Sequence, residues 1–466
     1  MGLVAYISAL FLAITLALRY YVPPSDRAFC YRLIFCLLPI QIVTLYFMNS
    51  YVPFVPSETD TFLYYEFSQR EFDSLTDYVD VTKTSNHMYM QFGGVPYTHI
   101  LTIIHQFVGD SLFFRKMLAL AALWPLGFAW YAISCLVAGP PFARTVLAVT
   151  VALPTLWYPF CVLYRDLLTA ALHSVFLASV LLFHQRTRGR MRHASVLIVV
   201  ALLLFALRPA TIYINAAVIA VAVVAGEAAL ATSRRTRKAR FVLLTAAAVV
   251  AGLALFIIRD ERLSGALRID TKITPEAVEG QVTAFSASRD AAAAGSLVSR
   301  VPRLAAGIVL FIGSEPTIVS RGLDIRNPEQ LRGMMNGPWF LFGAPFAALA
   351  IFTVVRQFLL HQRFLYIVSA ANRAQWRAPG GRWNTVGTVT AEADTKRRFG
   401  LWVVAGYSLI WFAICVVAWD WTRWRLPAVP ALVMLAVWQY RRLSQRDRTA
   451  MAFAWGLAIV GWRLLL

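Results

Sequence analysis

Apolar runs close to the thickness of a bilayer recur along the whole chain. A hydrocarbon core about 30 Å thick takes roughly 17–25 helical residues to cross. The runs lie near 2–18, 33–49, 112–138, 144–161, 167–184, 195–207, 209–231, 241–258, 338–358, 399–418, 426–440 and 450–466. This pattern predicts an all-α polytopic membrane protein of about 12 transmembrane helices, one integral membrane domain over 1–466. Composition agrees: 59% of the 466 residues are hydrophobic and 15% are charged, against roughly 25% charged in soluble proteins. The net charge of +20 fits either a nucleic-acid binder or a membrane protein. The apolar runs decide for the membrane, so no nucleic-acid partner is expected.

Two runs carry breaks. Pro154 and Pro159 predict a kink in 144–161. The run 195–207 ends at Arg208-Pro209 and reads as a half-helix or a broken helix. A further run, 95–108, has 14 residues and carries His99 and His105. It suits an interfacial helix better than a span.

Charge sets the topology. With 95–108 lying flat and both termini outside, the cytoplasmic segments are 18–32, Arg144, 186–192, 234–240, 356–398 and 441–448. Together they carry +21, and the rest of the chain carries −1. That is the bias the positive-inside rule requires. The first outer loop, 50–111, is acidic before the flat helix: Glu58, Asp60, Glu66, Glu71, Asp73, Asp77 and Asp80 face only Arg70 and Lys83 over 50–94. The second, 259–337, is polar and contains a short apolar run at 304–312. The 359–398 loop is basic and cytoplasmic. Residues 2–18 follow no basic segment, so they read as a first span and not as a secretory signal. The five cysteines form neither a metal-ligand spacing nor a disulfide framework. No internal repeat or nucleotide-binding glycine loop is evident.

Five constellations lie at the expected outer face. Glu58-Thr59-Asp60, followed by Tyr64-Tyr65, offers carboxylates for general-base work or for a divalent cation. Tyr164-Arg165-Asp166 opens a span; Asp166 suits the helix dipole, and Arg165 suits a phosphate. Arg208 sits at membrane depth or snorkels to the headgroups. Arg423 and Arg425, set among Trp419, Trp421 and Trp424, are outer arginines that ask for an anionic partner. His87 and His99 are candidate ligands to substrate. His99 and His105 are six apart, so they lack the i, i+4 placement of a helical metal pair.

In this order, the constellations resemble the GT-C superfamily of integral membrane glycosyltransferases. The resemblance rests on the acidic motif with its following tyrosine (Glu58, Asp60, Tyr64), the flat helix, the Pro154 to Arg165-Asp166 stretch, the Arg208-Pro209 step and the Arg423 to Pro430 run. It implies transfer of a sugar from a polyprenyl phosphate or pyrophosphate donor at the outer face. Asp60, with Glu58 beside it, would be the base or cation ligand, and Arg165, Arg208, Arg423 and Arg425 would hold the phosphate. A divalent cation, Mg or Mn, is compatible with this set; no metal ligands are assigned. The chain departs from the commonest pattern by an extra span before the acidic loop and by having no large C-terminal soluble domain. In both respects it also resembles bacterial exopolysaccharide and O-antigen polymerases. The implied setting is a bacterial inner membrane, with a glycan or lipid-linked acceptor and assembly of envelope or exopolysaccharide. The competing expectations are a flippase for lipid-linked glycans, which would need polar groups along a path to both faces, and a membrane scaffold.

Overall fold

The computed structural model describes residues 2–51, 64–65, 68, 95–161, 163, 165–185, 189–207, 220, 349, 399–408, 411, 426–453 and 456. Among the described residues all regular structure is helical. Helices α1 (Gly2–Tyr21) and α2 (Pro24–Tyr51) precede α3 (Val95–Val108), α4 (Leu112–Ala138) and α5 (Pro140–Ala152). A 3-10 turn (Pro154–Leu156) and the one-turn α6 (Tyr158–Cys161) lead to α7 (Asp166–Gln185) and α8 (Arg190–Leu207). Late in the chain come α9 (Phe399–Ser408) and α10 (Val429–Tyr440). Among the described residues, four helices are long and apolar enough to cross a membrane: α1, α2, α4, and α7 over Asp166–Phe183. Apart from 220 and 349, the runs at 209–231, 241–258 and 338–358 lie outside the described residues, as do the 259–337 and 359–398 loops.

Helix α4 forms the centre. Beyond its first turns it is apolar on nearly every side, and Leu123, Trp124, Phe128, Trp130, Tyr131 and Ile133 are all fully buried, as expected of a helix enclosed on every side. Gly127 lets α5 come close: a Cβ there would lie 2.6 Å from Val151 Cγ1 and 2.9 Å from Leu147 Cδ1. The turn between α4 and α5 has the chemistry of a tight helical reversal. Gly139 takes φ 82°, its N–H donates to the Cys135 carbonyl, and Pro140 starts the next helix. Glycine is at ease in the left-handed region, and proline at the first position loses no needed donor.

The kink expected in 144–161 is a full break. Leu153 is extended (φ −72°, ψ 115°) ahead of Pro154, the conformation that a following proline favours. The Val151 carbonyl freed there accepts Gln41 Nε2 at 2.9 Å and Trp157 Nε1 at 2.8 Å. Two helices start earlier than their apolar runs. Helix α2 begins at Pro24, not near 33, because Asp26 is buried against Tyr131 and Arg144, with Arg144 Nη2 at 2.7 Å. Helix α8 begins at Arg190, after Gly189 at φ 79°. Its polar first turn is used: Arg192 lies 4.2 Å from the Tyr20 ring centroid, and His193 Nδ1 meets the Tyr20 hydroxyl at 2.5 Å. After α10, Ser444 opens another helix over 445–453; its Oγ accepts the Asp447 N–H at 3.2 Å and donates to the Asp447 carboxylate at 2.7 Å, a side-chain N-cap.

These contacts give the bundle two chemically distinct ends, separated by the 27 residues of α4, about 40 Å at 1.5 Å per residue. At the arginine end, Tyr20 meets His193, Asp26 meets Arg144, and Arg441 Nη2 donates to the Pro141 carbonyl at 2.9 Å. At the tyrosine end, the Tyr6 hydroxyl donates to the Phe114 carbonyl at 2.9 Å, and Tyr64 and Tyr97 pack edge to face. The segments expected on one side of a membrane by charge, 18–32, Arg144, 186–192 and 441–448, thus meet at one end wherever they are described. Both ends of α3 contact the tyrosine end. Tyr97 reaches Leu163 ahead of α7, and Phe107 lies so near the start of α1 that a Cβ on Gly2 would come 2.7 Å from its carbonyl.

Candidate functional site

Three segments distant in sequence converge at the tyrosine end. The first-loop residue Tyr64 is buried, and its ring meets the Tyr97 ring of α3 at 5.1 Å and 82°. Residue Arg165 precedes α7, and its carbonyl accepts both the N–H and the Oγ1 of Thr169, at 2.9 and 3.0 Å. This tethers Arg165 to the first turn of α7. The guanidinium lies 6.0 Å from the Tyr64 ring centroid and donates from Nη1 to the Leu207 carbonyl at 3.3 Å. Leu207 is the last residue of α8 and the neighbour of Arg208. Asp166 is buried in the first turn of α7, where its negative charge favours the helix N-terminus.

An apolar floor supports this cluster: Leu101, Ile104, Leu112, Leu163 and Leu207 pack with Tyr6, Tyr64 and Tyr97. On α3, Tyr97, Leu101 and Ile104 recur at helical spacing, so one face of a 14-residue helix builds the floor. The opposite face exposes Ile103 and Phe107. Burial, with Tyr64 and Asp166 nearby, pushes the Tyr97 hydroxyl well above its ordinary range, so it stays protonated. His99 is two positions from Tyr97 and falls on another face of α3 by the helical period. Partial burial pushes its imidazole down from 6.5 to about 4, so it is neutral at pH 7.

Of the residues singled out from the sequence, Tyr64, Arg165 and Asp166 are therefore brought together, and His99 occupies a separate face of the same helix cap. Glu58, Asp60, His87, Arg208, Arg423 and Arg425 lie outside the described residues. Among the described residues no group of three or more His, Cys, Asp or Glu side chains is placed to hold a metal ion.

Sequence reasoning missed a second feature at this end. Arg115, one turn into α4, has no exposed surface. Its Nη1 donates to Ser68 Oγ at 2.5 Å and to the Tyr65 carbonyl at 3.4 Å. Its Nη2 meets His105 Nδ1 at 2.6 Å and the Gly109 carbonyl at 3.2 Å. The Tyr65 ring lies 4.8 Å from the guanidinium carbon, and the Tyr65 hydroxyl donates to the Asp110 carbonyl at 3.2 Å. Gly109 makes this possible: at φ 63° it ends α3, its N–H returning to the His105 carbonyl, and turns its own carbonyl toward Arg115. Lys116, next along, is also fully buried. The available signal was two adjacent cations inside an apolar run, since a charge at membrane depth requires a reason.

Comparison with protein-family models, with curated proteins and with solved structures matches the chain to none of them.

Proposed function

We propose that the chain is a membrane glycosyltransferase or polysaccharide polymerase using a polyprenyl phosphate- or pyrophosphate-linked sugar donor. The tyrosine end would be the outer-face site. The observation that carries this reading is the meeting of the first loop, the start of α7 and the end of α8 around Arg165, through Tyr64 and Leu207. In this reading Arg165 and Arg208, the next residue in sequence after Leu207, stabilise charge developing on the phosphate leaving group, which fixed donors in a partly dry site do effectively. Asp60, four residues before Tyr64, takes the proton of the attacking hydroxyl, with Glu58 beside it to share the role or to hold a divalent cation. Tyr64 and Tyr97 offer aromatic walls, and the apolar floor suits a lipid-borne donor. The arginine end, with Arg144, Arg190, Arg192, Arg441, Arg442 and Arg448, would then face the cytoplasm under the positive-inside rule.

The test uses Asp60→Asn and Arg208→Ala in a strain lacking the chain, and in proteoliposomes supplied with lipid-linked sugar. Each variant should reach wild-type levels in the membrane. Asp60→Asn should lose transfer by roughly 10²–10⁴-fold, the usual contribution of a general base. Full glycan assembly by both variants would overturn the mechanism. Movement of lipid-linked sugar across the bilayer without any new glycosidic bond would replace it by transport.

A further inference from the structure

A buried guanidinium, that of Arg115, holds first-loop residues Tyr65 and Ser68, and one of its partners can itself become a cation. We propose that Arg115 is a positioning residue that holds Tyr65 and Ser68, and with them the adjoining Tyr64, at the tyrosine end only while His105 is neutral. Its bearing on sugar transfer rests on the reading above, because Tyr64 lies against Arg165; the latch itself does not.

A guanidinium has five N–H donors and no acceptor. At 2.6 Å from Arg115 Nη2, His105 Nδ1 must therefore accept. It can do so only as the neutral ring with its proton on Nε2. Protonation would set two donors and two positive charges against each other. The neighbouring groups make the outcome directional. Asp110, on the link between α3 and α4, puts Oδ1 3.6 Å from His105 Nδ1 and 3.7 Å from Arg115 Nη2. An imidazolium is drawn toward that carboxylate and away from Arg115. The other titratable groups here come from every packed element. Tyr65 of the first loop covers the guanidinium, Lys116 follows it on α4, Tyr6 enters from α1, and His99 is on α3 itself. Helix α8 contributes the apolar Leu207. Of these groups, Asp110 alone among the described carboxylates is in ion-pair range of both His105 and Arg115.

Loss of the His105 contact loosens the whole clasp, because the same guanidinium also holds Ser68 Oγ and the Tyr65 carbonyl. The proposal is tested by hydrogen–deuterium exchange of the full chain in lipid nanodiscs, read at the backbone amides of 64–68. Measurements run from about pH 8 to about pH 5, with intrinsic exchange rates divided out. Wild type should lose protection at the acid end by roughly tenfold or more, as for one charge-assisted bond. His105→Gln keeps a neutral acceptor at every pH, so its protection should stay flat. Arg115→Lys lacks the fork and should be unprotected throughout. Flat protection in wild type overturns the proposal without any variant, and so does an unchanged pH response in His105→Gln. Exchange is read without sugar transfer, so the latch and the transferase reading fail separately. A titrating latch beside a fully active Asp60→Asn removes only the enzyme. An inactive Asp60→Asn beside flat exchange removes only the latch.

Discussion

Replacing Gly127 with alanine tests how closely α4 and α5 are joined. On helix propensity alone the change should stabilise, since glycine in a helix interior costs about 1 kcal/mol relative to alanine. The packing argues the other way. The new Cβ would meet Val151 Cγ1 at 2.6 Å and Leu147 Cδ1 at 2.9 Å, where ordinary contact begins near 3.4 Å. The leucine methyl is the end of a flexible side chain and can turn aside. Val151 cannot do so cheaply, because a β-branched side chain in a helix has one favoured rotamer. Its backbone is also held, the carbonyl accepting both Gln41 Nε2 and Trp157 Nε1. Overpacking of this kind costs about 1–3 kcal/mol, so the net change should be a loss of about 1 kcal/mol. The cleaner quantity is the coupling. In a Val151→Ala background the obstructing methyl is gone, and Gly127→Ala should become neutral or stabilising. That corresponds to a coupling of about 1–2 kcal/mol, within the range seen for residues in contact. The assay is reversible unfolding in mixed micelles for the four members of the cycle, followed by tryptophan fluorescence. A Gly127→Ala protein that is more stable than wild type, or a coupling below about 0.5 kcal/mol, would refute the close approach of the two helices.

Gln41→Leu should destabilise by about 1 kcal/mol, the usual worth of an interhelical hydrogen bond in an apolar surround, because the fully buried Gln41 donates to the Val151 carbonyl across the α2–α5 contact. Trp157→Phe, which removes the second donor to that oxygen, should cost more in the Gln41→Leu background than alone, in the same unfolding assay. The imidazole of His99, held neutral down to about 4, makes stability fall with acid. Between the ordinary 6.5 and about 4 the unfolded chain takes up a proton that the folded one refuses. Unfolding midpoints should therefore decline across that window, with the His99 share of the decline complete at its acid end. His99→Gln should remove that part of the decline, and an unchanged slope would show that His99 is not shielded.

Much of the helical layout was legible because apolar length is a local signal. The runs at 95–108 and 112–138 coincide with α3 and α4, and the run at 167–184 falls within α7. Proline chemistry marked Pro154, where a helix ends; the reversal at Gly139-Pro140 was not read from the sequence. The starts of α2 and α8 were not legible. Their first turns carry Asp26, Arg27, Arg190 and Arg192, residues that look like loop until their partners are known. Those partners, Tyr131, Arg144 and Tyr20, lie on other helices, and no local pattern announces them.

The candidate site divides in the same way. From the sequence came the residue types: Tyr64 in the first loop, the Arg165-Asp166 pair before a span, and the arginines of the segments that meet at the other end wherever they are described. Each of these follows from what a bilayer tolerates, a rule that acts on segments one at a time. Tertiary structure decided which side chains touch. It laid Arg165 between Tyr64 and the Leu207 carbonyl, and it turned Tyr97 inward and His99 to another face of one short helix. It also gave Arg115, a cation inside an apolar run, its acceptors: Tyr65 and Ser68 from the first loop, His105 from α3 and Gly109 just past its end. A buried guanidinium is tolerable only where several acceptors meet it, and those acceptors come from positions up to 50 residues away. Burial and partnership are properties of the packed bundle, and for that reason the residue that ties the first loop to the bundle could not be read from the chain alone.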